Sequence, residues 1–236
     1  NVALALHDGT YCVEKDFDEA EVRIEKKELN DCRLENVPNI GYKDGTGAPT
    51  PEIGKGMIPI RWDGSKWVKA DTNEKWYDYD KQEWANVVLV TESTRNAYIN
   101  ATPGTEIIED DVLAYLVWIP RYRYKLFNVE SAIIDPQEIE IEFEDRNVTK
   151  SNGSENGEWL THPAFTFGDE ELNGFWVGKF ETTGDATTPT IKPGVSALRS
   201  ENISTQFATA KKFNNVSTYG LSSDADAHMM KNMEWG

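Results

Sequence analysis

Apolar and polar positions alternate along much of this chain, and the alternation predicts strands. The clearest case is Glu138–Glu144, where Ile139, Ile141 and Phe143 alternate with four glutamates, as in a strand with one buried face. A row of like charges repels itself unless paired, and Arg121, Arg123 and Lys125 are expected to cross to it. These basic residues alternate with Tyr122, Tyr124 and Leu126, so they are expected on a solvated face opposite packed aromatics. Before them, Leu113–Ile119 is β-branched and aromatic and ends at Pro120, which favours a strand. Met57–Trp62 and Ser65–Ala70 flank Asp63-Gly64, a turn pair that predicts a hairpin. A second hairpin is expected from Trp76–Tyr79 through Asp80-Lys81-Gln82 to Trp84–Val90. In residues 172–185 the run Phe175-Trp176-Val177, bounded by glycines, predicts an interior strand covered on both faces.

Helical spacing enters late. Ile203, Phe207, Ala210 and Lys211, with Ser200 or Asn202 as a cap, predict a helix over 200–214. A second helix is expected through His228, Met229, Met230, Met233 and Trp235, capped by Ser223 or Asp224. Thr91–Thr105 reads as a polar loop with a turn at Pro103-Gly104. Val22 and Ile24 alternate with Arg23 and Glu25, which places a small β unit over 1–38. Glycines and prolines without hydrophobic period mark 39–56 as a linker. The expected fold class is α+β and β-rich: the small unit, the linker, an aromatic β-hairpin unit over 57–105, and a domain over 106–236 with two helices near its end.

The formal net charge of -17 argues against nucleic-acid binding and against docking on an anionic membrane surface. No run of 18 apolar residues exists to span a membrane. Cys12 and Cys32 are the two cysteines; in an acidic β-type chain they point to one disulfide and an oxidising, extracellular or cell-surface location, with a pair of buried thiols as the alternative. A bridge closing about 20 residues would stabilise the small unit by roughly 3 kcal/mol. The chain has neither an initiator Met nor a basic-then-apolar leader, and it stops inside an apolar periodic stretch at Trp235-Gly236. It is therefore expected to follow a processed segment and to be the N-terminal portion of a longer protein.

No catalytic signature is present: HExxH, CxxC, GxSxG, the P-loop and the dinucleotide fingerprint are all missing. His162, before Pro163, is expected to be structural, and His228 near Asp224 and Asp226 to belong to a capped helix. Asp71, Asn73, Asp78 and Asp80 form a calcium-like cluster that lacks the glycine and glutamate of an EF-hand, so no cofactor is expected and calcium stays an open alternative. Trp62, Trp67, Trp76 and Trp84 fall on the predicted hairpins. Such aromatics stack on sugar in surface binding modules and hold small β units together elsewhere, and both roles stay open.

The segment NGFWVGKFETT, Asn173–Thr183, resembles the dGFWidkyEVTn segment of the formylglycine-generating-enzyme-like (sulfatase-modifying-factor) branch of the C-type-lectin fold. VWIPRYRYKLF, from Val117, is similar to that family's opening strand. The resemblance covers about residues 113–236 and implies a lectin-like domain with a strand, helix, loop, helix order. Catalytic members use a cysteine pair near an RGGSW region. This chain has no such region and no cysteine after Cys32, so no catalytic residue carries over. A second likeness, of the hairpins with the later segment, is to large surface proteins of gut-type Gram-positive bacteria, some with a pilin-like export helix that is not found here. The function expected is a secreted or surface-displayed, non-catalytic binding or structural protein with a glycan or protein ligand at Trp62, Trp67, Trp76 and Trp84. The alternatives are a subunit of a fibre that self-associates by strand addition, and the N-terminal fragment of a cysteine-oxidising enzyme.

Overall fold

The computed structural model describes residues 41–126, 136, 138–147 and 157–234, together with the backbone of three strands within residues 1–40. The chain divides into two compact units, Asn1–Ile40 and Gly41–Gly236. In the first, β1 (Val2–Ala5), β2 (Tyr11–Lys15) and β3 (Arg23–Lys26) form an antiparallel meander in sequence order. Cys12 lies on β2 opposite Ala5 and Glu25, but its side chain, like all of Cys32, is outside the described residues, and so is the expected disulfide.

The second unit is built on one sheet. It joins β4 (Ile58–Trp62), β5 (Trp67–Lys69), β6 (Asn86–Val90), β7 (Val112–Pro120) and, further along, β13 (Gly174–Gly178), in the order β13-β7-β6-β4-β5. Between β7 and β13 come β8 (Tyr122–Lys125), β9 (Glu140–Phe143), β10 (Trp159–Thr161), β11 (Thr166–Phe167) and β12 (Glu170–Glu171). After β13 follow β14 (Thr183–Gly184) and β15 (Pro189–Thr190). Helices α1 (Glu92–Asn100), α2 (Ile203–Ala210) and α3 (Val216–Tyr219) complete it. The boundary expected at 105/106 therefore does not exist, because β6 pairs with β4 on one side and β7 on the other. All five residues of β6 are buried, and a strand apolar on both faces is driven to the middle of a sheet.

The two faces carry separate cores. Ile58, Ile60, Val88, Val90 and Tyr115 share one face with Tyr98 of α1; we call it the first face. Leu89 and Ala114 face the other way, onto Ile191, Phe213, Tyr219 and Leu221. Farther along this second face, Trp118 packs with Trp76, Tyr77 and Tyr79. Burying an aromatic ring removes roughly 150–250 Å² from water, on the order of 4–6 kcal/mol. The residues expected to be a linker join this core: Ala48 and Pro49 are buried, and Trp118 Nε1 donates to Pro49 O at 3.2 Å.

Several expectations change. The first hairpin forms, around a four-residue turn in which Asp63 Oδ1 accepts from the Ser65 and Lys66 amides. The second is reduced to one bridge, Asp78 to Glu83, because Trp76, Tyr77 and Tyr79 are drawn into the core and Tyr79 Oη donates to Trp118 O. The 91–105 loop contains α1, anchored by Tyr98, whose hydroxyl donates to Asp111 Oδ2 at 2.7 Å. The helix over 200–214 forms as α2 plus a 3-10 turn, with Asn202 as the cap. The last predicted helix does not: only a 3-10 turn, Asn232–Glu234, forms there among the described residues. His228 bonds the carboxylate of Glu234 and the Asp226 carbonyl instead of joining a helix.

The strand Gly174–Gly178 is an edge strand rather than an interior one. Phe175, Trp176 and Val177 are half-buried, and among the described strands only β7 pairs with it. Its register sets Trp176 opposite Trp118, and a Cβ on Gly174 would meet the Trp118 ring at 2.4 Å, so glycine permits this close approach.

The small sheet β10-β8-β9 shows the predicted charge crossing. Arg123 pairs with Glu142, and Lys125 Nζ lies 2.9 Å from Glu140 Oε1. Arg121 departs from the solvated row: it is buried, with Nε 3.0 Å from the equally buried Glu144. Nor is the opposite face of β9 buried throughout. Phe143 reaches Tyr79 at 5.6 Å, but Ile141, farther from the core, is 60% exposed.

Candidate functional site

The first face of the main sheet exposes a row of rings. Cross-strand pairing sets Trp62 against Trp67 edge to face, ring centroids 5.5 Å apart. Trp67 meets Tyr115 at 6.1 Å, and Tyr115 meets Phe180 at 5.9 Å. Tyr115 is buried, but Trp62 is 52% exposed and Phe180 is exposed as well. Alternation along β4, β5 and β7 puts Trp62, Trp67 and Tyr115 on one side, and Phe180, past the end of β13, joins them through its contact with Tyr115.

One cation sits in this row. Lys179 continues the face of Phe175 and Val177 just past β13, where its amide bonds Tyr115 O. Its Nζ donates to Asn86 Oδ1 at 2.7 Å and stands 5.5 Å from the centroid of Trp67. Burial holds the Lys179 pKa below its ordinary value. Asn86 is buried in β6, and its Nδ2 donates to Trp84 O, which fixes its oxygen toward the lysine.

Two residues earlier, Val177 lines a cavity of about 250 Å³. Ile119 and Phe175 line it from the sheet, His162 and Phe165 from the segment after β10, and Met230 and Glu234 from the C-terminal segment. His162 Nδ1 accepts from the Ala164 amide at 3.3 Å, and its ring packs against Tyr122 and Phe165. Burial pushes its pKa down, which favours the neutral ring. Glu234 is held ionised by the Lys231 amide and His228, despite burial.

Of the four candidate tryptophans, only Trp62 and Trp67 come together. Trp84 is 41% exposed but leans on Tyr79, in the cluster behind the sheet. Trp76 is 6% exposed, a core residue not presented to solvent. The acidic cluster at 71–80 is occupied internally. Asp71 Oδ1 accepts from the Asn73 amide, and Asp78 pairs with Lys75 and Lys81. Among the described residues no group of three His, Cys, Asp or Glu converges as a metal site. Sequence reading missed Asn86, Lys179 and Phe180 as site residues. The signal for Lys179 was there, since its period-2 spacing from Phe175 and Val177 assigns it to their face. Asn86 sits in an apolar strand and gained meaning only from its partner.

Comparison with known proteins finds no matching family model, no matching curated protein and no matching solved structure.

Proposed function

We propose that this chain is a non-catalytic binding protein, secreted or displayed on a bacterial surface, and that it takes a glycan on the row formed by Trp62, Trp67 and Phe180. The observation that carries the reading is the exposed indole of Trp62, pinned against Trp67 on a hairpin of the five-stranded sheet. A large ring left in water, yet held in one orientation, is a prepaid stacking platform, because little freedom is lost on binding. Asn86 and Lys179 supply the few polar contacts that orient a ligand. The lectin-like scaffold is part of this reading and is supported by the resemblance of Asn173–Thr183.

The test is a glycan array followed by calorimetry on the best binder. Trp62→Ala is expected to weaken binding about tenfold, roughly 1.4 kcal/mol. An empty array, or equal affinity for Trp62→Ala and the parent, would overturn the reading.

One observation favours the fibre alternative: among the described strands β13 has a neighbour on one side only, and an unpaired strand edge accepts a strand from a second copy. Sedimentation over a hundredfold range of concentration tests it, and a monomer throughout removes it.

A further inference from the structure

Lys179 is one of several described lysines without an ion pair, and it is set apart by its place: half-buried beside Trp67, with a side-chain amide as its partner, whereas Lys69 and Lys192 donate to backbone carbonyls. Lys66, Lys75 and Lys125 lie on the carboxylates of Glu106, Asp78 and Glu140. Lys179 has no carboxylate within ion-pair distance among the described residues, although acidic residues outnumber basic ones 41 to 24. The ammonium is half-buried and donates to one neutral oxygen, that of Asn86. An ammonium carries three donors, so two remain, beside the face of Trp67.

We infer that Lys179 reads a carboxylate on the bound ligand, so that the aromatic face selects acidic sugars, uronates, over neutral ones. The inference rests on the glycan reading above and names the substrate class of that site. The C6 group of a pyranose is a hydroxymethyl in a neutral hexose and a carboxylate in a uronate. A compact ammonium beside a stacking ring distinguishes the two by a charge-assisted hydrogen bond. The chain's net negative charge opposes acidic ligands only at long range, and salt screens it beyond about 8 Å under physiological conditions. Selectivity must then arise at contact, where the two free donors are.

The experiment compares hexagalacturonate with its methyl ester, which keeps rings and linkages and removes the charge, by calorimetry on the whole chain. The acid is expected to bind about tenfold more tightly, a preference that shrinks at about 0.5 M salt. Lys179→Met is expected to abolish the preference and Lys179→Arg to retain most of it, with melting curves confirming that both variants fold. Equal binding of acid and ester by the parent, or a preference that survives in Lys179→Met, overturns the inference while the ester's dependence on Trp62 still upholds the glycan reading. Binding of neither probe overturns the inference, and an empty glycan array would remove the reading beneath it as well.

Discussion

Replacing Glu144 by Ala tests the account of how the small sheet is fastened to the main one. The Glu144 side chain is fully buried, and its Oε1 accepts from Arg121 Nε at 3.0 Å and from Thr161 Oγ1 at 2.6 Å. Arg121 also reaches Glu171 Oε2 at 2.5 Å and the carbonyl of Leu172 at 3.3 Å. The network thus ties the end of β7 to the residue after β9, to β10 and to β12. Removing one partner of a buried pair leaves the other charge desolvated, which costs about 3–5 kcal/mol. In a domain of roughly 200 residues this lowers the melting temperature by roughly 6–20 °C. Glu171 is partly exposed and compensates Arg121 in part, so the lower half of that range is expected. Urea unfolding and thermal melts, followed by circular dichroism, read the loss. The double variant Arg121→Met/Glu144→Leu is expected to recover most of it, because no charge is then left buried without its partner. A loss under about 1 kcal/mol for Glu144→Ala, or a double variant no better than the single, would refute the reasoning.

Other outcomes follow from the same geometry. Trp76→Ala is expected to destabilise by about 3–5 kcal/mol and Trp62→Ala by under about 1 kcal/mol, a contrast that denaturation curves measure directly. Asp185 accepts from the amides and hydroxyls of Thr187 and Thr188, which hold its carboxyl far below the ordinary range. Its stabilising contribution is full above the unfolded value, about 3.9, and is lost as pH falls through the lower folded value. Melts at acid and neutral pH are therefore expected to differ less for Asp185→Asn than for the parent.

Local patterns foretold much of the secondary structure. The Asp63-Gly64 turn, the strand Val112–Pro120 and the crossing of Arg123 and Lys125 to the glutamates all depend on residues near in sequence or on simple alternation. The site was only partly legible. Trp62 and Trp67 were marked by cross-strand position, whereas Trp76 looked equivalent on paper and went inside, because local spacing does not say which ring the core will take. The final helix failed for a similar reason: its apolar spacing was real, but Met230 and Glu234 serve the cavity wall in an irregular segment.

By itself the sequence determined the β-rich α+β class, the hairpin and the charged face of the small sheet, since period-2 patterning and turn chemistry act over a few residues. Tertiary structure alone decided the strand order. Val87, Val88, Leu89 and Val90 are wholly buried and claimed the centre, while the Phe-Trp-Val strand, only half covered, was left at the edge. It also decided that Asn86 and Lys179, 93 residues apart, should meet beside Trp67, since that contact exists only once β6, β7 and β13 are in register.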